Sequence, residues 1–518
     1  MFNTNQLTRI RFLKVFFLAI CLLPCFFVKV KANSLSGNLV QGQYGVGFKV
    51  IHTFDYSRAY RGKQGRPMQV TVWYPTSVTT PKIEYKDYLA LYLTEEDFTI
   101  PTEKQRQDNL ITWKKELADR LNSPVNIEGI FQAKTNAVKD APLAKGSFPV
   151  IIYGAGGQGE SFENSILCEY LASHGYFILA SPAVGPFEHK TTIDGVGLEA
   201  GARDIEFLIA QSQAFPEADL SKLGVMGWSW GGLSAMLVQL RNPNVDAVLS
   251  LDGSIATHED KLNKTAFAEP NKIRVPVMYM SSHSLTPRVK SFIEKVNYSN
   301  SFLLDFNELN HSDFSSYNFI VRNFAESLND SERKKQQSYE LICQFSLRFF
   351  DAQLKSDSQG KNFIESDSVG KDLLIVTRKP TLPLPPTQEE FFTLIKEKGF
   401  ENAYKIYQEV KLRNANYQIF EAFEITVLAD QLFKSGKAED SVKCAKLRIE
   451  AYPNDYLSYE WLANLYYKQK DWNNALHYYG MAYGMALKEK RTPELSEELD
   501  WYRERIEKVK KNLLEKVN

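Results

Sequence analysis

From about residue 43 to residue 376, short apolar segments alternate with segments that have helical periodicity. This alternation is typical of a largely parallel sheet that is covered by helices on both faces. The inner segments are continuous apolar runs, as expected for strands buried on both faces. About eight strands are predicted: GQYGVGFKVIHTFD, RPMQVTVWYP, PVIIYGA, YFILAS, LGVMGWS, AVLSLDG, VPVMYMSS and SFLLDFNEL. We expect the first two to form an antiparallel edge.

Residues 78–145 form a long polar insertion between the second and third predicted strands. The insertion contains two segments with helical character, YKDYLALYL and ITWKKELADRLN. A connection of this length inside a compact domain is typical of a cap, a binding loop or a helical insertion. Two interpretations remain open: a cover over an active site, and a solvated excursion with two short helices.

The composition changes at residues 379–387, KPTLPLPPT, which are rich in proline and predict a stiff linker. Residues 388–518 have helical patterns, and aligning Ala429 with Ala463 gives a period of about 34 residues, the length of a tetratricopeptide repeat. The packing positions of that repeat are Leu428, Ala429, Leu432, Gly436 and Ser441 in one copy and Leu462, Ala463, Tyr466, Ala475, Tyr479 and Ala482 in the next. We therefore expect an all-α tetratricopeptide-like domain, which offers a surface for a protein partner.

The charge balance argues against nucleic acid as a partner. The chain of 518 residues has 62 Lys and Arg against 62 Asp and Glu, so it has no excess of positive charge for a phosphate backbone. Apolar residues make up 44% and aromatic residues 13%, which indicates a folded protein rather than a disordered one. Residues 33–378 are long enough for a full catalytic domain.

The N-terminus has the pattern of a secretory signal peptide. Arg9, Arg11 and Lys14 precede an apolar run at residues 15–28, which is too short to span about 30 Å of hydrocarbon. The small residue Ala32 predicts cleavage before Asn33, so that residues 1–32 are the signal. We expect export, to the periplasm or as a secreted protein, with no transmembrane segment in the mature chain. An uncleaved anchor is the alternative.

The five cysteines do not indicate a metal site or a disulfide framework. Cys21 and Cys25 lie in the predicted signal, and the remaining three, Cys168, Cys343 and Cys444, lack the spacing of metal ligands. Each of the three lies in an apolar helical pattern, where a free cysteine is usually a small buried hydrophobic residue. We expect neither a metal nor a cofactor.

A serine nucleophile is indicated by GWSWGG, residues 227–232, a G-x-S-x-G motif between the strand LGVM and the helical segment LSAMLVQL. Glycines are needed there because a serine on a tight strand-to-helix turn has strained backbone angles and leaves no room for neighbouring side chains. Ser229 is the candidate nucleophile. A purely structural glycine-rich turn is the alternative.

A serine needs a histidine base that is held by a carboxylate, in the chain order Ser, acid, His for this kind of turn. His311 follows the last predicted strand, where the base is expected. His283, after the preceding strand, is the fallback. His258 lies too close to the sixth strand to be the last member, and His477 lies in the repeat region.

The acid is assigned by elimination. The loop after the seventh strand, SSHSL, contains no carboxylate, whereas the sixth strand ends at Asp252, at the sheet edge where catalytic groups gather. Asp252 is therefore the candidate acid. Glu308 and Asp313 are so close to His311 in sequence that we expect them to be solvated or to cap the local turn.

Stabilisation of an oxyanion requires two backbone N–H groups. Trp230, directly after the candidate nucleophile, is expected to provide one. The loop GAGGQG after the third strand is expected to provide the other, from Gly157, with Gly156 as the second choice. Phosphate binding by this loop is disfavoured because no Lys-Ser/Thr pair follows it.

Several segments occur together in the order seen in a known family: GQYGVGFKVIHTFDYSR, RPMQVTVWYPT, FPVIIYGAGG, YLASHGYFILAS, GWSWGG, LSLDG and NHSDF. Over about residues 43–355 the chain resembles the platelet-activating-factor acetylhydrolase-like branch of the α/β-hydrolases and is also similar to dienelactone-hydrolase-type esterases. The resemblance implies an α/β-hydrolase fold with Ser229 as nucleophile, Asp252 as acid and His311 as base.

Two departures limit what the resemblance implies. Ala155 and Gly156 stand where the family often has His-Gly. The lipid-hydrolysing members have no repeat-like tail, so a phospholipid substrate is not carried over.

We expect an exported serine esterase that acts on a small-molecule acyl ester through an acyl-enzyme. The rival interpretation is an interaction protein in which the repeats bind a partner and the hydrolase domain is inactive or secondary.

Overall fold

The computed structural model describes residues 34–265, 270–489 and 492–517. The predicted signal peptide, residues 1–32, and its cleavage site lie outside the described residues. The chain divides into two compact units with the boundary between Thr381 and Leu382. Lys379, predicted to begin the linker, is the last residue of a strand, and residues 380–387 have no regular secondary structure.

The first unit is built on a sheet that contains ten strands within the described residues. They are β1 (Gly45–Tyr60), β2 (Lys63–Thr76), β3 (Ala137–Lys139), β4 (Phe148–Gly154), β5 (Phe177–Ser181), β6 (Ala218–Trp228), β7 (Ala247–Leu251), β8 (Val277–Ser282), β9 (Ser301–Phe306) and β10 (Leu374–Lys379). Their order in the sheet is β10-β9-β8-β7-β6-β4-β5-β2-β1-β3. The six strands from β5 to β9 in this order are parallel, whereas β2 and β10 join them antiparallel.

All eight strands predicted from the sequence are present, and the first two pair antiparallel as expected. The sequence did not predict β3 or β10. β3 has three residues inside the polar insertion, and it pairs in parallel with β1. β10 has the sequence LIVTRK and lies at the edge of the sheet, where most of its residues are partly exposed. Neither segment therefore has the continuous apolar pattern of a buried strand.

Helices cover both faces of this sheet. They are α1 (Tyr85–Leu89), α2 (Glu103–Ala118), α3 (Ile127–Gln132), α4 (Ser165–Ser173), α5 (Gly195–Ser212), α6 (Trp230–Arg241), α7 (Ile255–Asn263), α8 (Thr286–Lys295), α9 (Ser316–Asn323), α10 (Asp330–Leu354) and α11 (Ser358–Glu365). Successive residues of β4 belong to two different apolar clusters: Ile151 and Tyr153 to one, Val150 and Ile152 to the other. This period of two places one cluster on each face of the sheet, as expected for a parallel sheet that is covered by helices on both faces.

The insertion is packed into the core of the first unit. Tyr85, Tyr88 and Leu89 of α1 are fully buried. The Tyr88 hydroxyl accepts a hydrogen bond from Trp73 Nε1 at 2.8 Å and donates one to Glu169 at 2.7 Å. The interpretation as a solvated excursion is therefore wrong for this segment.

The second unit is helical throughout. Its helices are α12 (Gln388–Lys398), α13 (Phe400–Arg413), α14 (Ala422–Lys434), α15 (Ala438–Ala451), α16 (Tyr456–Lys468), α17 (Trp472–Ala486) and α18 (Pro493–Val517). The pair α16 and α17 begins 34 residues after the pair α14 and α15, since 456 − 422 and 472 − 438 both equal 34. The predicted packing residues are buried, except for the exposed Gly436. The tetratricopeptide assignment stays a prediction.

Cys168, Cys343 and Cys444 are free and buried, in α4, α10 and α15. Burial raises the pKa of each thiol, so that the three remain protonated near neutral pH. No group of three or more His, Cys, Asp or Glu side chains in the described part of the chain has an arrangement that could hold a metal ion. Among the same residues, no helix is both long enough and apolar enough to cross a bilayer.

Candidate active site

Ser229 occupies the turn between β6 and α6. Its backbone has φ of 54° and ψ of −119°, a conformation that a residue with a side chain rarely adopts. The surrounding glycines make this turn feasible, because a Cβ on Gly227 would lie 2.4 Å from the Gly231 carbonyl carbon, and one on Gly231 would lie 2.0 Å from the Gly154 oxygen. The backbone of these glycines therefore packs against neighbouring backbone, as a strained nucleophile turn requires.

The structure brings Ser229, His311 and Asp252 together in a hydrogen-bonded chain. His311 Nε2 lies 2.8 Å from Ser229 Oγ, and His311 Nδ1 lies 2.7 Å from Asp252 Oδ2. The Asp252 side chain is fully buried at the end of β7, whereas that of His311 is 47% exposed. Since an ionised carboxylate only accepts hydrogen bonds, Nδ1 carries the proton and Nε2 is free to accept the serine proton.

The other histidines are placed elsewhere. His283, the fallback base, is largely exposed, and its Nδ1 contacts Asp305 at 3.0 Å. His258 packs edge-on against the Trp230 ring. His311 is thus the histidine that bonds to Ser229, in agreement with its position after the last predicted parallel strand.

The structure separates the two carboxylates near His311 from the candidate site. Glu308 accepts hydrogen bonds from Ser331 and Lys334. Asp313 is 1% exposed, caps the local turn by accepting from the Asn310 N–H at 2.9 Å, and contacts Arg322 at 2.7 Å. The prediction that Asp313 caps the local turn is confirmed. The alternative, that Asp313 is solvated, is wrong, because Asp313 is buried against Arg322, which lies nine residues later on α9.

Asp313→Asn should therefore affect stability more than catalysis. Burial alone would raise the pKa of Asp313, but Arg322 and the Asn310 and Asn318 hydrogen bonds hold it below its ordinary value. The ion pair thus stabilises the fold above that ordinary pKa and weakens as the pH falls. We expect a loss of about 3 kcal/mol in the free energy of unfolding at pH 7, measured by urea titration. A large loss of kcat with unchanged stability would contradict this assignment.

The last residue of β8 supports Asp252. The N–H of Ser282 donates to Asp252 Oδ1 at 2.8 Å, and its hydroxyl lies 3.1 Å from the same oxygen. These bonds hold the carboxylate in place against His311. The predicted loop SSHSL, which begins in the last two residues of β8, contains no acid. Its serines were the available sign that it supplies hydrogen-bond donors instead.

The two residues that are candidates for the oxyanion donors, Trp230 and Gly157, lie close together. Trp230 begins α6, so its N–H has no partner within the helix. Gly157 lies close by, since a Cβ built on it would be 3.7 Å from the Trp230 Cβ. Gly156 N–H donates to Glu163 Oε1 at 2.7 Å, so the second choice from the sequence is already engaged. Gly157 remains the loop residue next to Trp230.

The sequence analysis did not identify Trp228 as part of the site. The Trp228 Nε1–H donates to the His311 carbonyl oxygen at 3.1 Å, and the two rings stack with centroids 5.2 Å apart. Trp228 therefore restrains both the backbone and the ring of His311. The available signal was its place in GWSWGG, directly before Ser229 at the end of β6.

The insertion contacts two segments of the chain: one that follows the candidate oxyanion loop and one that follows His311. The Trp113 ring packs against Phe162 and Tyr317, with centroids 5.9 and 5.5 Å away. The Tyr317 hydroxyl donates to Glu160 at 2.7 Å, three residues after Gly157. Trp113, Tyr317 and Glu160 line a cavity, together with Tyr92 and Arg120. Since neither Ser229 nor His311 lines this cavity, the interpretation of the insertion as a cover over an active site stays a prediction.

Comparison with known proteins supports a hydrolase. Residues 188–284 match the Dienelactone hydrolase family, a range that contains Ser229 and Asp252 and ends before His311. This region resembles an ester hydrolase. No curated protein matches the chain. The platelet-activating-factor branch of the resemblance stays a prediction.

A solved ferulic acid esterase from Streptomyces cinnamoneus is 19% identical to this chain. The match covers 65% of this chain and 97% of the esterase, with a TM-score of 0.48.

Proposed function

We propose that this protein is a serine carboxylic ester hydrolase in which Ser229 is the nucleophile, His311 the general base and Asp252 the acid that orients it. The observation that carries the proposal is the hydrogen-bonded chain from Ser229 Oγ through His311 to Asp252, with distances of 2.8 and 2.7 Å. The family match over residues 188–284 supports ester hydrolysis at a coarser level.

The reaction proceeds through an acyl-enzyme. Ser229 Oγ attacks the ester carbonyl carbon while its proton passes to His311 Nε2, and Asp252 stabilises the imidazolium through Nδ1–H. The carbonyl oxygen becomes an oxyanion and accepts hydrogen bonds from the N–H groups of Trp230 and Gly157. Collapse breaks the ester C–O bond, and the alcohol leaves with the proton from Nε2. Water, activated by His311, then releases the carboxylic acid and restores Ser229.

A fluorophosphonate probe tests this proposal, because its reaction requires an activated serine. We expect labelling of the purified protein, with the added mass located on the peptide that contains Ser229. A panel of acyl esters from acetyl to hexanoyl then defines the preferred acyl group. Absence of both labelling and hydrolysis in folded protein would contradict the proposal and favour the interaction-protein alternative.

The proposal includes export, to the periplasm or outside the cell, and it rests on the N-terminal sequence. Arg9, Arg11 and Lys14, the apolar run and Ala32 together form the pattern of a signal peptide. N-terminal sequencing of the protein from its native cells should begin at Asn33. A chain that begins at Met1 would contradict cleavage.

A chain truncated after Thr381 should remain a soluble, active hydrolase. The first unit contains its own two apolar clusters and all the residues of the proposed mechanism. The cut must follow β10, because Lys379 Nζ donates to the carbonyl oxygens of Ile293 and Val296. We expect kcat for an acetyl ester to stay within about twofold of the full chain. An inactive truncated protein would contradict the assignment of hydrolysis to the first unit alone. We assign partner binding to the second unit.

A further inference from the structure

A buried carboxyl group lies directly against the candidate oxyanion loop. The Glu163 side chain is 1% exposed, and its Oε1 accepts hydrogen bonds from the Gly156 N–H and the Tyr153 hydroxyl, both at 2.7 Å. The loop closes around the same group, since a Cβ on Gly159 would lie 2.0 Å from Glu163 Oε2. Glu163 is not used by the mechanism above.

These contacts control the direction of the Gly157 N–H. The Gly159 N–H donates to the Gly156 carbonyl oxygen at 2.8 Å, while Glu163 holds the Gly156 N–H. The peptide unit that joins Gly156 to Gly157 is planar and trans, so the Gly157 N–H points opposite to the Gly156 carbonyl. Two hydrogen bonds on Gly156 therefore set the orientation of the next amide, the proposed oxyanion donor.

The surroundings of Glu163 favour its uncharged form. Oε2 is buried and has no hydrogen-bond partner within the described residues. An ionised carboxylate here would be an unpaired buried charge, which costs far more than a neutral acid. The titratable groups that face it are Tyr153, Glu160, Glu95, Cys168 and Tyr317, none of which is a cation. Burial raises the pKa of Glu163 to about 8.

We propose that Glu163 is a positioning residue for ester hydrolysis: its neutral carboxyl group holds Gly156, and through it the Gly157 amide, in the orientation that receives the oxyanion. This inference rests on the proposed function. Ionisation of Glu163 places a negative charge next to Gly156 and Gly157, and the Gly157 N–H must stabilise the negative charge of the oxyanion. Coulomb repulsion in this buried place then raises the barrier, and kcat falls.

Glu163→Gln is the decisive variant, because the amide oxygen can accept the same two hydrogen bonds but cannot ionise. We expect kcat of the full chain for an acetyl ester at pH 7 to stay within about threefold of the wild type. Between pH 7 and pH 9.5, wild-type kcat should fall about fivefold, whereas the kcat of the variant should stay level. The sign follows from the direction of the shift: the neutral form is lost as the pH rises through the raised pKa.

Glu163→Leu removes the acceptor itself. We expect kcat to fall about 100-fold with KM within about twofold, because one oxyanion donor is misdirected while substrate binding is unchanged. If Glu163 had only a structural role, the leucine variant would be less stable, but its kcat would not fall selectively while KM stayed unchanged. Thermal unfolding at each pH verifies that the proteins remain folded. If the leucine variant does not fold, the pH profile of the glutamine variant decides alone.

Glu169→Gln is the matched control. Glu169 is also buried, its pKa is raised to about 7 by burial, and it bonds to Tyr88 and the Asn136 N–H rather than to the oxyanion loop. Its variant should retain the wild-type pH profile of kcat. A Glu163→Gln profile that matches the wild type would overturn the inference. The proposed function would stand in that case, since it depends on loss of activity in a Ser229 variant.

Discussion

Ser229→Ala is expected to lower kcat for a small acyl ester by about 10⁶, the largest effect of any single substitution in this protein. The substitution removes the attacking oxygen, and only the oxyanion amides and substrate binding remain to accelerate the reaction. The measurement is the steady-state hydrolysis of an acetyl ester, accompanied by loss of fluorophosphonate labelling. The fold should survive, because the Ser229 backbone is held by bonds that alanine keeps: its N–H donates to the Leu251 oxygen at 3.1 Å.

Ser234→Ala is the control for this prediction. Ser234 is buried on α6, five residues beyond Ser229, and its hydroxyl donates within the helix, to the Trp230 oxygen. This variant should keep near wild-type kcat. Near wild-type turnover in Ser229→Ala would instead mean that another group is the nucleophile, and the proposed function would have to be abandoned.

Asp252→Asn should lower kcat by about 10⁴ while leaving the shape of the site intact. An amide at this position can donate a hydrogen bond to His311 Nδ1, which places the imidazole proton on Nε2 and prevents it from accepting the serine proton. Loss of the carboxylate also removes the charge that stabilises the imidazolium. The measurement is kcat for the same acetyl ester, with thermal unfolding as a check of the fold.

Asp305→Asn is the matched control for the acid. Asp305 is also buried at a strand end and also contacts a histidine, the exposed His283. We expect the kcat of the Asp305→Asn variant to differ little from that of the wild type, because Ser229 bonds to His311 and not to His283 or Asp305. If this substitution inactivated the enzyme while Asp252→Asn did not, the fallback base His283, with Asp305 as its acid, would replace His311 and Asp252 in the mechanism.

The strands and the serine turn could be predicted because their signals are local. The inner predicted strands are short runs of residues that must be apolar to be buried on both faces of the sheet. The turn at Ser229 requires glycines at Gly227 and Gly231, since added side chains would collide with backbone. The order of serine, acid and base along the chain then narrowed the remaining choices to Asp252 and His311, which the structure places within hydrogen-bonding distance of each other.

The features that the sequence did not reveal depend on contacts between distant segments. β10 pairs with β9 from more than 60 residues away in sequence, and Ser282 bonds to Asp252 across 30 residues. The burial of Asp313 was missed because its partner, Arg322, lies on the next helix rather than in the same turn.

By itself, the sequence determined the fold class and the candidate residues Ser229, Asp252 and His311, because apolar periodicity and tight turns are properties of neighbouring residues. Only the tertiary structure decided how these residues are held. Trp228 restrains His311, and Glu163 holds Gly156 beside the proposed oxyanion donor. The physical reason is that hydrogen bonds and the burial of a carboxyl group depend on residues that are distant in sequence and close in space. A pattern of neighbouring residues does not contain that information.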